Sequence, residues 1–200
     1  MRRILQLLVF IFAVLGITRE VQAQSLEAAP RFDVFGCYTY MRSNTVSDGP
    51  AFNLNGGSAS IAYNLGNWVG IVGDFGLYHQ GSVSGSGLSL TLASYQFGPR
   101  VSWRKNAHLI PYGQALFGAG HASGSLYTSS LGAGMPPLGT NNGFLMTTGG
   151  GVDLKLTNNF GIRLIQVEYL YSQFLNGSGH DNRQDNVRLS TGVVFSFGSH

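Results

Sequence analysis

Residues Gly149 to Tyr171 read GGGVDLKLTNNFGIRLIQVEYLY. In the first half, Val152, Leu154 and Leu156 alternate with Gly151, Asp153, Lys155 and Thr157, the period of two that sends successive side chains to opposite faces of a strand. Asn158 and Asn159 tolerate left-handed backbone and mark a tight turn. Alternation then resumes with Ile165, Val167, Tyr169 and Tyr171 against Gln166, Glu168 and Leu170. The stretch is therefore a β-hairpin with one nearly all-apolar face. Its other face is mostly glycine, threonine or glutamine with isolated charges, whereas a sheet facing water carries charge throughout. Arg163 has the parity of the apolar face. Either it lies at a membrane interface and snorkels, or a bulge shifts the register between it and Gln166.

The pattern recurs along the chain. Between Arg31 and Arg42, Phe32, Val34, Tyr38 and Tyr40 oppose Asp33, Phe35, Cys37 and Thr39. A second strand runs from about Ala51 to Tyr63, and a third from Trp68 to Tyr78 sets Asp74 alone on a face shared with Gly70, Val72 and Gly76. A fourth, ending near Trp103, sets Tyr95, Phe97, Val101 and Trp103 against Gln96, Gly98, Arg100 and Ser102. The fifth, Leu109 to about Ala122, places Gln114 between Tyr112 and Leu116. The opening hairpin supplies strands six, from near Gly143, and seven. The eighth alternates Val187, Leu189, Val193, Phe195 and Phe197 with Arg188, Ser190, Gly192 and Ser196. Pro99 removes a ladder hydrogen bond, so the fourth strand is expected to bulge there or to carry it near a rim.

Connections are long after strands one, three, five and seven, and short after two (Asn64 to Asn67), four (Arg104 to Ala107) and six. Charged residues make up 10% of the 200-residue chain, against roughly 25% in a typical soluble protein. Low charge without a long apolar helix, eight dyad strands and alternating loop lengths predict an all-β, eight-stranded antiparallel up-and-down transmembrane β-barrel. The short turns and both termini then face the periplasm. Trp68, Trp103, Tyr63, Phe195 and Phe197 fall near that side, and Phe52, Tyr78, Tyr169 and Tyr171 near the other, as interfacial belts. A soluble barrel would turn the glycine- and serine-rich face to water without the charge such a surface needs.

Arg2 and Arg3 precede the apolar run Ile4 to Ile17, and Val21-Gln22-Ala23 offers small residues at a cleavage site, so residues 1–23 read as a secretory signal. This fourteen-residue run falls short of the roughly 20 a spanning helix needs. Residues 24–30 are a linker and 31–198 the barrel domain. Without Arg2, Arg3, Arg19 and Glu20 the mature chain keeps nine basic and eight acidic residues, and no basic patch interleaved with aromatics supports nucleic-acid binding. Cys37, the single cysteine, cannot form an intramolecular disulfide and reads as a small strand residue.

Nine polar residues point inward on this reading: Asp74, Gln96, Arg100, Gln114, Asp153, Lys155, Gln166, Glu168 and Arg188. An eight-stranded interior is only wide enough for side chains to fill it, so these groups are expected to pair and pack. The alternative is a narrow gated path for ions or small solutes through the same charges. His121 and Ser123, two apart on one face, resemble the His-x-Ser pair of outer-membrane lipid A deacylases, in which histidine activates serine. The match is three residues long, and no acid lies between Asp74 and Asp153 to orient the histidine, so the expectation is a protein that is not an enzyme. His79, His108 and His180 have no ligand spacing, and neither a metal nor a cofactor is expected.

FGPRVSWR (Phe97 to Arg104), PYGQALFGAG (Pro111 to Gly120), the opening hairpin and RLSTGVVFSFG (Arg188 to Gly198) together resemble the bacterial outer-membrane barrels related to the transmembrane domain of outer membrane protein A and the opacity-type porins. The resemblance covers roughly Arg31 to Gly198. It implies a place in the cell outer membrane and insertion by the outer-membrane assembly machinery. That machinery recognises an aromatic-ended last strand, here Phe197 with three residues after it. The partners expected are outer-membrane lipid, that machinery and an unidentified extracellular ligand met by the long, polar loops, with the chain a monomer. The role expected is structural or surface-interacting.

Overall fold

The computed structural model describes residues 29–45, 51–82, 89–106, 108–124, 140–174 and 183–199. The signal sequence, most of the linker and the larger part of the long connections lie outside the described residues. Eight strands, β1 (Pro30–Thr45), β2 (Phe52–Asn64), β3 (Val69–Gln80), β4 (Leu90–Ser102), β5 (Leu109–Ser123), β6 (Thr140–Lys155), β7 (Phe160–Phe174) and β8 (Arg183–Ser199), close into one antiparallel barrel in sequence order. Closure is made by β1 against β8, from Pro30 opposite Ser199 to Thr45 opposite Gln184. No strand edge is left unpaired, which is what the hydrocarbon of a bilayer demands of a sheet.

The barrel is inside-out. Ile61, Ile71, Phe75, Leu77, Phe97, Val101, Val167 and Val193 all point outward and are exposed, Phe97 by 68%. Soluble monomers do not expose contiguous apolar surface of this extent, so the wall is built to contact lipid. The strands are longer than the roughly 9–11 residues that cross a bilayer, at 12 to 17 residues. Their ends therefore project past the apolar band.

Glycines on the inner side draw neighbouring strands together. A Cβ on Gly98 would lie 2.0 Å from the Ala115 carbonyl oxygen, and one on Gly149 would lie 2.3 Å from that of Val167. Such approach lets a small barrel coil tightly.

The Arg163 question resolves as a bulge. Arg163 pairs with Asp153 and Gly192, whereas Gln166 pairs with Gly151 and Ser190, so β7 carries an extra residue between them. Leu164 and Ile165 both face outward, exposed by 48% and 49%, and Arg163 swings fully inside. The Thr191 hydroxyl donates to the Arg163 carbonyl at 3.0 Å, satisfying an acceptor at the irregularity.

Of the two alternatives for Pro99 the structure takes the position near a rim, and one expectation, for Phe52 and Tyr78, needs correction. Pro99 causes no register shift: its ladder to β5 is interrupted between the Phe97–Phe117 and Arg100–Gln114 pairs, with the same alignment on both sides. It sits three residues from the end of β4, where the lost hydrogen bond disturbs little. Phe52 and Tyr78 are not belt residues, being 8% and 0% exposed inside the barrel. The short-turn rim does carry outward aromatics. Trp68 and Trp103 meet edge to face at 4.6 Å, Phe160 and Phe195 at 5.3 Å, and Phe32 and Tyr63 at 5.2 Å.

Candidate functional site

The interior has two tiers. Nearest the long connections, Met41, Phe52, Leu54, Tyr78, Leu90, Leu92, Ala122, Leu145, Leu170 and Phe174 form one buried apolar cluster contributed by seven of the eight strands. Below it lies the polar tier, with Leu116, Val72 and Ala62 as an apolar island. The division follows from height along each strand. On β7 the inward series runs Arg163, Gln166, Glu168, Leu170, Ser172, Phe174, so charge gives way to carbon toward the long-loop end.

Arg188, wholly buried, is the hub of the polar tier. Its Nε and Nη2 lie 2.7 and 2.6 Å from Glu168 Oε2, and Nη1 donates to Asp74 Oδ1 at 3.1 Å and to Tyr78 Oη at 2.8 Å. Tyr78 joins the tiers, with its ring in the apolar cluster and its hydroxyl on the hub. Gly76 makes this possible, because a Cβ there would stand 2.2 Å from that hydroxyl.

One cation therefore serves two carboxylates, and the balance is restored through a glutamine. Gln114 Nε2 donates to Glu168 Oε1 at 2.7 Å while its Oε1 accepts from Arg100 Nε at 2.9 Å. The amide thus presents its donor to the acid and its acceptor to the base. Arg100 has Tyr112 as its aromatic neighbour, with the guanidinium carbon 4.5 Å from the ring centroid.

Tyr112 leads to the second ion pair. Its hydroxyl donates to Gln166 Oε1 at 2.8 Å, which also accepts from Arg163 Nη1 at 2.6 Å. Arg163 holds Asp153 with both Nε and Nη2, at 2.6 and 3.0 Å, in the bidentate geometry that suits a guanidinium. Its carbon lies 3.7 Å from the Phe35 ring centroid and 4.4 Å from that of Tyr112. At the short-turn end, Asp33 accepts from Arg104, Asn64 and Ser196 at 3.0, 2.8 and 2.6 Å.

The structure thus joins Asp153, Gln166, Arg100, Gln114, Glu168, Arg188 and Asp74 in one continuous network. Gln96 is buried beside it, opposite Asp74 in the ladder, and accepts from Thr147 at 2.9 Å. Lys155 is half-buried at the last ladder position of β6, opposite Gly161. Sequence reasoning left out Arg163, Tyr78, Tyr112, Asp33 and Arg104. Parity alone marks Tyr78 and Tyr112 as inward, since they share the faces of Asp74 and Gln114, but Arg163 needs the bulge.

His121 and Ser123 sit on the outer side of β5. His121 Nδ1 is 2.7 Å from Asn142 Oδ1, and Ser123 lies in register with Thr91 and Thr140. Among the described residues, no group of three or more His, Cys, Asp or Glu side chains could hold a metal ion.

No protein-family model matches the chain, and no curated protein matches it. Solved structures do. Neisserial surface protein A is similar with a TM-score of 0.58 at 18% identity, covering 83% of this chain and 97% of that one. Ail, the attachment invasion locus protein of Yersinia pestis, gives 0.52 at 18%, covering 84% and 99%. The outer membrane protein OprG from Pseudomonas aeruginosa gives 0.51 at 12%, covering 86% and 98%. At such identities the likeness is one of fold, and with the lipid-facing wall it identifies the chain as an eight-stranded transmembrane β-barrel of the outer-membrane type.

Proposed function

We propose that this protein resides in the cell outer membrane and holds its long connections outside the cell, where they engage an extracellular partner, while the barrel itself conducts nothing. The observation that carries this reading is the filled interior. An apolar tier caps a tier of mutually paired charges, and a hydrated ion would have to displace both. The loops add compositional support: residues 124–139, which join β5 to β6, include four glycines and four serines or threonines without one charged residue. The names of two fold relatives, a surface protein and an attachment invasion locus protein, are in keeping with it. His121 and Ser123 give a hydrolase little support, because the imidazole is engaged by Asn142 and no described carboxylate orients it.

The test is binding by bacteria that display the barrel. Cells carrying the intact protein are expected to bind at least one member of an array of extracellular glycans and matrix proteins several-fold more than cells carrying a version with residues 125–139 and 175–182 replaced by short Gly-Ser turns. Heat-modifiable gel mobility checks that both versions are folded. Equal binding by two folded versions would sink the surface role.

A further inference from the structure

The two rims of the barrel differ in charge. At the long-loop end, Arg183 is answered by Asp185 at 3.0 Å on the same outer face. At the short-turn end, the acids Asp33 and Asp153 both turn inward onto guanidiniums, while Arg31 and Lys105 are exposed at the rim. Among the described residues, no carboxylate faces outward at that rim.

These two cations are mounted on aromatics. Lys105 Nζ lies 5.0 Å from the Trp103 ring and 6.0 Å from that of Trp68, whose rings are themselves in edge contact and 40% and 38% exposed. Arg31 lies 5.8 Å from the Tyr63 ring, and its Nη2 is 3.5 Å from the Tyr63 hydroxyl. The turn that carries Trp68 is fixed from both sides. The Trp68 carbonyl accepts from Ser102 N at 2.8 Å, and Asn67 Oδ1 accepts from Ala29 N at 3.1 Å. The positions lie along β1 to β4, an arc three strand spacings wide or about 14 Å. An arc of that width is on the scale of one or two lipid headgroups.

We infer that this arc is a binding surface for anionic phospholipid of the leaflet at the short-turn end, with Arg31 and Lys105 contacting the headgroup phosphate and Trp68, Trp103 and Tyr63 lying against the glycerol and upper acyl region. Indole and phenol rings belong at this depth, one side apolar and one side wet. A cation over a ring still presents its remaining N–H donors outward. The charge complementarity points to an anionic rather than a zwitterionic lipid, and to this rim rather than the other. The inference rests on the membrane-spanning reading of the barrel.

The experiment reconstitutes the purified protein into phosphatidylcholine vesicles and compares spin-labelled phosphatidylglycerol with spin-labelled phosphatidylcholine at the protein surface by EPR. The intact protein is expected to favour phosphatidylglycerol. Arg31→Gln and Lys105→Gln are each expected to reduce that preference, by up to about fivefold per cation at low salt, and the double variant to abolish it. Salt is expected to erode the preference in the intact protein. Arg42→Gln, on the outer face toward the other rim, is expected to leave it unchanged. Protection of the strands from protease in the same vesicles reports insertion separately. Inserted protein without a preference, or a preference that survives in the double variant, overturns the site. Failure of the intact protein to insert overturns the barrel reading and the site with it.

Discussion

Replacing Arg188 with methionine is expected to cost the barrel about 3–5 kcal/mol, the range for breaking a buried ion pair by removing one partner. The side chain is wholly buried and is the only guanidinium within 4 Å of either Glu168 or Asp74 among the described residues. Methionine fills similar volume, so the loss reports charge more than packing. Both carboxylates would be left in a dry interior, and Tyr78 would lose its hydrogen bond to the hub. Urea unfolding from lipid vesicles, followed through the fluorescence of the chain's two tryptophans, Trp68 and Trp103, measures the effect. Removing the carboxylates as well, in Asp74→Asn/Glu168→Gln/Arg188→Met, is expected to recover at least half of the loss, since the triple variant buries no unpaired charge. A triple variant no more stable than the single one would mean that Arg188 acts by shape and not by charge.

The second large effect belongs to the upper tier. Leu170→Ala is expected to cost about 2–5 kcal/mol, because Leu170 is wholly buried among Leu145, Met41 and Phe174 and the rigid wall cannot collapse onto the space it leaves. The mechanism differs from that of Arg188. Here the loss follows cavity volume, so Leu170→Met should cost under about 1.5 kcal/mol. If alanine at this position left the unfolding midpoint unchanged, the long-loop half of the interior would not be packed as described.

Much of this architecture is legible in the chain because a strand's period of two is insensitive to what lies on either side of it. Asp153 among Val152 and Leu154, or Arg100 between Pro99 and Val101, announces its face without knowledge of its partner. The alternation of long and short connections then fixes the meander and both rims. Two kinds of information were not available in this way. One is irregularity: Leu164 and Ile165 are both apolar, so nothing in their composition says that they share a face and return Arg163 to the interior. The other is height across the barrel. Parity places Gln114, Glu168 and Arg188 inside, but only the stagger of the closed sheet brings them level and lets one amide bridge an acid to a base. Tyr78 and Phe52 show the cost of treating every large aromatic near a strand end as interfacial. Both have inward parity, and both join the buried apolar cluster of the interior.

A closed interior should pass no ions. Recordings of the purified protein in planar bilayers are expected to show no channel openings above the protein-free baseline across the voltage range the membrane withstands. Reproducible openings in the intact protein that disappear in folded Arg100→Gln or Glu168→Gln would contradict it, and would make the charge network a path for ions.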